Sequence, residues 1–295
     1  MKKFVLFVLL FAVASIYAAE LKVLTIGNSF TWSLRAHFPA LVKAQGDKLT
    51  IGFANHGGCT IQRHWKYVTE EEAKPEVTWY KYNGKKMKLR EMLAAEKWDI
   101  ITIQQQSSRS SVKGSFYPEL DKLVAYVKKH APEAQIVFQQ TWAYSPDHVW
   151  LKKVGGQKGM YEKIYDNYKE ASQKFGFEVI PTGLAVEIAR DTQSVKFVPV
   201  PKSEIDKLEP NQKVSQPGAL IVGWRWAKNR KTGKFGYNCD RIHLNNRGQF
   251  LQACVWYGKL FKKSPLEIKY VGKGITPEDA EFLKKCADRA LKEYK

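Results

Sequence analysis

The chain has 295 residues and a formal net charge of +19. Its length suits one large α/β domain or two small ones, and beyond the first nineteen residues no stretch is long and apolar enough for a membrane helix. The four cysteines, Cys59, Cys239, Cys254 and Cys286, form no C-x-x-C and join no Cys/His cluster of zinc spacing, which argues against a structural metal.

Lys2 and Lys3 precede an apolar run from Phe4 to Val13, and small residues follow to Ala18-Ala19. That order describes a secretory signal peptide over residues 1–19. The expectation is therefore a secreted or periplasmic protein whose single domain spans 20–295, in an oxidising compartment that permits disulfides. Which of the four cysteines would pair stays open. The surplus charge, +17 once Lys2 and Lys3 leave, attracts polyanions. Export makes an acidic polysaccharide or a membrane surface a better fit than nucleic acid.

Leu21–Ile26 is short, apolar and β-branched, and ends at Gly27. Leu34–Gln45 carries helical spacing and stops at Gly46. Leu49–Ala54 reads as a strand, and Asn83-Gly84 within 77–88 signals a hairpin. Asp99–Ile103 is the continuous apolar run of a buried parallel strand. Leu120–His130 is helical, Gln135–Gln139 a strand, Tyr161–Phe175 helical and Glu178–Ile180 a short strand. Residues 192–236, rich in Pro, Lys and Gly, form a long insertion carrying Trp224-Arg225-Trp226. Leu251–Phe261 and Asp279–Leu291 are helical. The alternation predicts a three-layer α/β/α sandwich around a parallel sheet, flavodoxin-like in character.

Open α/β sheets bind ligands at the carboxyl ends of their strands. The first strand delivers Gly27-Asn28-Ser29-Phe30-Thr31 to that edge, where a serine hydroxyl is exposed and helix-start amides can hold an oxyanion. Asp240 and His243, three residues apart, supply a carboxylate and an imidazole to activate it. These two blocks resemble the SGNH (GDSL-type) hydrolases, in particular a poorly characterised bacterial subgroup with a Gly-Asn-Ser-Phe opening. That family places its nucleophile after the first strand, usually as Gly-Asp-Ser, and its Asp-x-x-His block near the C-terminus.

The resemblance implies Ser29, His243 and Asp240 as catalytic residues. It also implies an oxyanion hole from the Ser29 and Gly58 amides. The asparagine of the family's third block is missing; Gln104-Gln105-Gln106 stands there, and Gln104 or Gln106 would take its role. No cofactor is implied. Trp65, Trp142, Trp224 and Trp226 lie near predicted strand ends or in the insertion and are expected to contact substrate, since sugar rings stack on such faces. The reading is an esterase removing acyl groups, acetyl first, from a carbohydrate. The rival is an inert secreted binding module for acidic glycans, favoured by Asn28 and the missing asparagine.

Overall fold

The computed structural model describes residues 18–229 and 232–295; apart from Ala18 and Ala19, the predicted export segment lies outside them. Five strands, β1 (Glu20–Gly27), β2 (Lys48–Asn55), β5 (Ile100–Ile103), β6 (Gln135–Gln139) and β7 (Val179–Ile180), pair in parallel in the order β2-β1-β5-β6-β7. Parallel strands need helical crossovers, and these supply both outer layers. The predicted sandwich is what the chain adopts.

Two short helices follow β1, α1 (Ser29–Trp32) and α2 (Phe38–Ala44). The single predicted helix over 34–45 is broken: a 3-10 turn over Ser33–Ala36 precedes α2, and Pro39 lies in the first turn of the restarted helix. After β2 come α3 (Ile61–Ala73), the hairpin β3 (Tyr80–Tyr82) with β4 (Lys85–Met87), and α4 (Leu89–Ala94). Then follow α5 (Ser107–Ser110), α6 (Glu119–His130), α7 (Leu151–Val154), α8 (Gly156–Phe175) and α9 (Thr182–Thr192). Helix α11 (Asn246–Phe261) packs on α2, α9 and α12 (Pro277–Glu293), while α3 and α4 pack on α6.

The segment over 192–236 is not irregular throughout. It holds α10 (Lys202–Ile205) and β8 (Ile221–Lys228), which pairs antiparallel with β9 (Phe235–Leu244). This ribbon is separate from the main sheet. Cys59, Cys254 and Cys286 are buried, Cys239 is half-buried, and all four are free thiols.

The chain leaves β1 for β2 on one side and returns to β5 on the other. The strand order therefore reverses between β1 and β5. In open sheets the crevice outside the carboxyl ends at such a point is where ligands bind. The segments delivered there are Gly27–Ser29 and Gln104–Gln106.

Candidate active site

A cleft of about 840 Å³ opens at this point, within the size range of small-molecule sites. Its floor carries Asn28, Ser29 and Trp32; Gly57, Gly58 and Gln106 border it, and the β8–β9 ribbon forms a wall. Ser29 is the first residue of α1, so its amide has no intrahelical acceptor. The turn is tight. A Cβ at Gly27 would sit 2.6 Å from Thr31 Oγ1 and 3.0 Å from Gln104 Oε1, so glycine is required there.

Asn28 is buried and uses both ends of its amide. Its Oδ1 accepts from the Phe30 amide (3.1 Å) and Gln104 Nε2 (3.2 Å), and its Nδ2 donates to the Cys59 carbonyl (3.1 Å). The serine turn is thereby tied to the Gly57-Gly58 loop. Gly58 has φ +61°, the left-handed region open to glycine. Below, buried His64 donates Nε2–H to the Gly27 carbonyl (2.9 Å), while its Nδ1 accepts from the Tyr80 hydroxyl (3.0 Å). The carbonyl acceptor fixes that tautomer.

Ser29 Oγ lies 2.8 Å from His243 Nε2, across 214 residues of chain. His243 Nδ1 lies 2.8 Å from Asp240 Oδ2 and 3.1 Å from Oδ1. Both residues are on β9, where a regular strand would send positions i and i+3 to opposite faces. The register shows how they meet. Gly223 pairs with Asp240 and Ile221 with Leu244, so one residue of β8 opposes three of β9. The surplus bulges, and the amides of Ile242 (3.2 Å) and His243 (3.1 Å) fold onto Asp240 Oδ1.

Burial alone would raise the Asp240 carboxyl, but the imidazole and these two amides outweigh it and hold its pKa below the usual carboxylate value. The bulge is anchored from the loop after β6. The Trp142 indole donates to the Ile242 carbonyl (2.8 Å) and the Ser145 amide to the Arg241 carbonyl (2.8 Å). Trp142 also stacks on Phe30 at 4.0 Å, and Phe30 meets the His243 ring edge-on at 5.6 Å.

The four tryptophans expected at the substrate do not line the cleft. Trp142 is 0% exposed and serves as the anchor just described. Trp65 faces α6, edge-on to Tyr126. The ribbon's alternation turns Trp224 and Trp226 away. Trp224 pairs with Cys239 and Trp226 with Tyr237 on one face, while Gly223, Arg225 and Ala227 share the other with Asp240, Asn238 and Gly236. The tryptophan face is covered by the preceding segment: Trp224 Nε1 donates to the Val200 carbonyl (2.9 Å), and the Tyr237 hydroxyl reaches the Glu209 carbonyl (2.7 Å).

Among the described residues, the tryptophan that does line the cleft is Trp32, one helical turn beyond Ser29. Reading 221–228 as a strand would have placed Arg225 and Asn238 in the site. The alternation was masked by the surrounding Pro, Lys and Gly.

The two glutamines part company because β5 ends at Ile103. Neither is hydrogen-bonded to the Ser29 hydroxyl among the described residues. Gln104 is buried against Asn28 and Thr31. Gln106 caps α5 through Oε1, which accepts from the Arg109 amide (3.0 Å), and its side chain borders the cleft. Gln105 is buried and braces the start of α3 through the Ile61 amide (3.0 Å).

Two outcomes follow from these contacts. Trp142→Ala removes a fully buried indole and is expected to cost about 3–5 kcal/mol of stability in urea denaturation; a loss below about 1 kcal/mol would contradict the anchoring role. Burial also pushes the His64 imidazole down to about 3, whereas an unfolded histidine titrates at about 6.5. Between those values the unfolded chain binds the extra proton, so stability falls as pH drops through that window. His64→Gln should therefore flatten the fall in melting temperature between pH 7 and 5. Equal slopes in the two proteins would remove His64 as its cause.

Among the described residues no group of three or more His, Cys, Asp or Glu side chains is placed to hold a metal, and no described helix is long and apolar enough to cross a membrane. No curated protein matches the chain. Among solved structures, a DUF4886 family protein from Bacteroides uniformis is 28% identical with a TM-score of 0.70, covering 93% of this chain and 95% of that one. A candidate SGNH hydrolase from Slackia heliotrinireducens is 17% identical with a TM-score of 0.47, covering 80% and 96%. A lipase/acylhydrolase from Enterococcus faecalis is 12% identical with a TM-score of 0.42, covering 85% and 100%. The model of the domain of unknown function DUF4886 matches residues 22–198, and the chain belongs to that family.

Proposed function

We propose that this protein is an exported serine esterase that removes acyl groups, acetyl first, from hydroxyls of a carbohydrate. The observation that carries the reading is the hydrogen-bonded chain Ser29–His243–Asp240 opening onto a cleft bordered by Gly58 and Gln106. Trp32 supports the sugar: it lines the cleft that holds Ser29, and aromatic side chains are the surfaces on which sugar rings stack. The export pattern of residues 1–19 supports the location.

In this reading His243 Nε2 accepts the Ser29 proton as Oγ attacks the ester carbonyl. Asp240 holds the Nδ1–H tautomer and stabilises the imidazolium. Charge developing on the carbonyl oxygen is met by the amides of Ser29 and Gly58, and by the Gln106 side-chain amide, whose Oε1 is already committed to α5. Gln104 is reassigned from this role to bracing the serine turn. The imidazolium then gives its proton to the departing sugar oxygen. Water, activated by the same imidazole, releases the acyl group from Ser29.

A fluorophosphonate probe tests the nucleophile, and acetate release from acetylated glycans tests the substrate. Labelling of the native protein but not of Ser29→Ala, with release from acetylated xylo- or galacturono-oligosaccharides, is the expected result. Absence of labelling would sink the esterase reading and leave the inert glycan-binding module. Labelling without acetate release from any glycan would sink the carbohydrate substrate alone.

A further inference from the structure

The ribbon wall of the cleft presents a cation next to the Ser29–His243–Asp240 chain. Arg225 pairs with Asn238, and the next pair toward the bulge on the same face is Gly223 with Asp240. Successive residues on one face of a strand are about 7 Å apart. A residue-length ligand bound at Ser29 therefore lies within reach of a long side chain rooted at position 225. Arg225 is exposed and lines the cleft. Among the described residues it has no ion pair and no side-chain hydrogen bond.

Its neighbours do not neutralise it. Asn238 spends its amide on the carbonyls of Ala227 (2.8 Å) and Gly236 (2.9 Å). Asp240 is the single acid among the described lining residues, and its carboxylate is occupied by the imidazole and two amides. Two other arginines of the C-terminal part, Arg241 and Arg247, are engaged. Arg241 is paired with Asp147 (2.7 Å) and Arg247 with both carboxylate oxygens of Asp279 (2.6 and 2.7 Å). Lys228, also exposed on the cleft wall, adds a second cation. An unpaired guanidinium on the cleft face, with Lys228 at the cleft's edge and no free carboxylate among the described lining residues, makes an electropositive pocket, and the planar guanidinium fork matches a carboxylate or sulfate in bidentate geometry.

We propose that Arg225 binds an anionic group of the substrate, a carboxylate or sulfate on the sugar that carries the ester, with Lys228 contributing to the same field. This deepens the esterase reading and rests on it: the preferred substrates are O-acylated acidic sugars rather than neutral ones. The same chemistry also arises from an acidic acyl group, such as a hemisuccinate, on a neutral sugar, and the assay separates the two sources.

The test has a binding arm that needs no turnover. Calorimetry on Ser29→Ala, titrated with oligogalacturonate or sulfated oligosaccharide and with a neutral xylo-oligosaccharide, is expected to show at least tenfold tighter binding of an acidic ligand, weakening as salt rises. Adding Arg225→Gln should erase that preference, and Arg225→Lys should restore part of it. In the kinetic arm, the ratio of kcat/KM for acetylated galacturonate over acetylated xylose should fall at least tenfold in Arg225→Gln, with the loss carried by KM. Equal binding of acidic and neutral ligands by the Ser29→Ala protein, or a preference untouched by Arg225→Gln, overturns the proposal. Preference for hemisuccinate esters over acetylated galacturonate overturns its assignment to the sugar. If the fluorophosphonate probe fails to label Ser29 while the binding preference holds, the hydrolase reading fails and the anion site stands.

Discussion

Alanine at Ser29 or His243 is expected to abolish hydrolysis of a small aryl acetate while leaving the fold intact. Members of such a unit act together, and removing either one commonly costs on the order of 10³–10⁶ in kcat, with little gained by removing both. The geometry places these two in one hydrogen-bonded unit: Ser29 Oγ bonds to His243 Nε2, and the other ring nitrogen is held by Asp240. Both side chains open onto the cleft rather than the core, so truncation removes chemistry without opening a cavity. Asp240→Asn should cost less, because it disturbs a tautomer instead of removing a reacting group. The kcat/KM values of the three variants decide the matter. Retention of more than about a tenth of native activity by Ser29→Ala or His243→Ala would contradict the assignment, since losses of that kind span several orders of magnitude.

The second large effect is expected at Asn28, and it runs against the family pattern the sequence resembles. An aspartate there would keep the acceptor that caps α1 but would lose the donor that bonds the Cys59 carbonyl. Position 28 is 1% exposed, so the new oxygen would face that carbonyl without water between them. Leaving a buried group unpaired costs about 1–3 kcal/mol, and here the cost falls on the link between the serine turn and the Gly58 loop. Asn28→Asp is therefore predicted to lower kcat on the aryl acetate by about tenfold to a hundredfold, the equivalent of that penalty, with KM changed far less. A variant within threefold of native kcat would show that the two loops hold their places without the amide. Asn28 thus ties the serine turn to the Gly58 loop, a structural role that accounts for an amide at this position.

The strands of the main sheet were legible because they are short apolar runs bounded by turn residues, and a parallel strand covered on both faces leaves no other pattern. Helix α3 was not legible. Its buried stripe includes His64 and Glu71, which interrupt the apolar spacing that reveals a helix. The serine, aspartate and histidine stood out through motif spacing, yet the route by which Asp240 meets His243 did not. A one-against-three bulge depends on the partner strand, and β8 lies in a segment whose composition conceals its alternation. The tryptophans misled for a related reason. Two large apolar rings flanking an arginine suggest a platform, but on a strand they fall opposite the arginine, and here they hold the covering segment down while Arg225 faces the cleft. At the glutamine run β5 ends at Ile103, so strand alternation does not carry through it: Gln104 goes inward and Gln106 to the rim.

The bulge in β9 also bears on how such a protein could change its trade. Residues 241–243 exceed by two what an unbroken ladder between Gly223–Asp240 and Ile221–Leu244 requires. Deleting two of them would let the ribbon close into regular pairing and withdraw the imidazole from Ser29. The parallel sheet and its two helical layers would keep every strand, and Arg225 would keep its place on the wall. The contact between His243 and Ser29 thus depends on the length of one short stretch of chain.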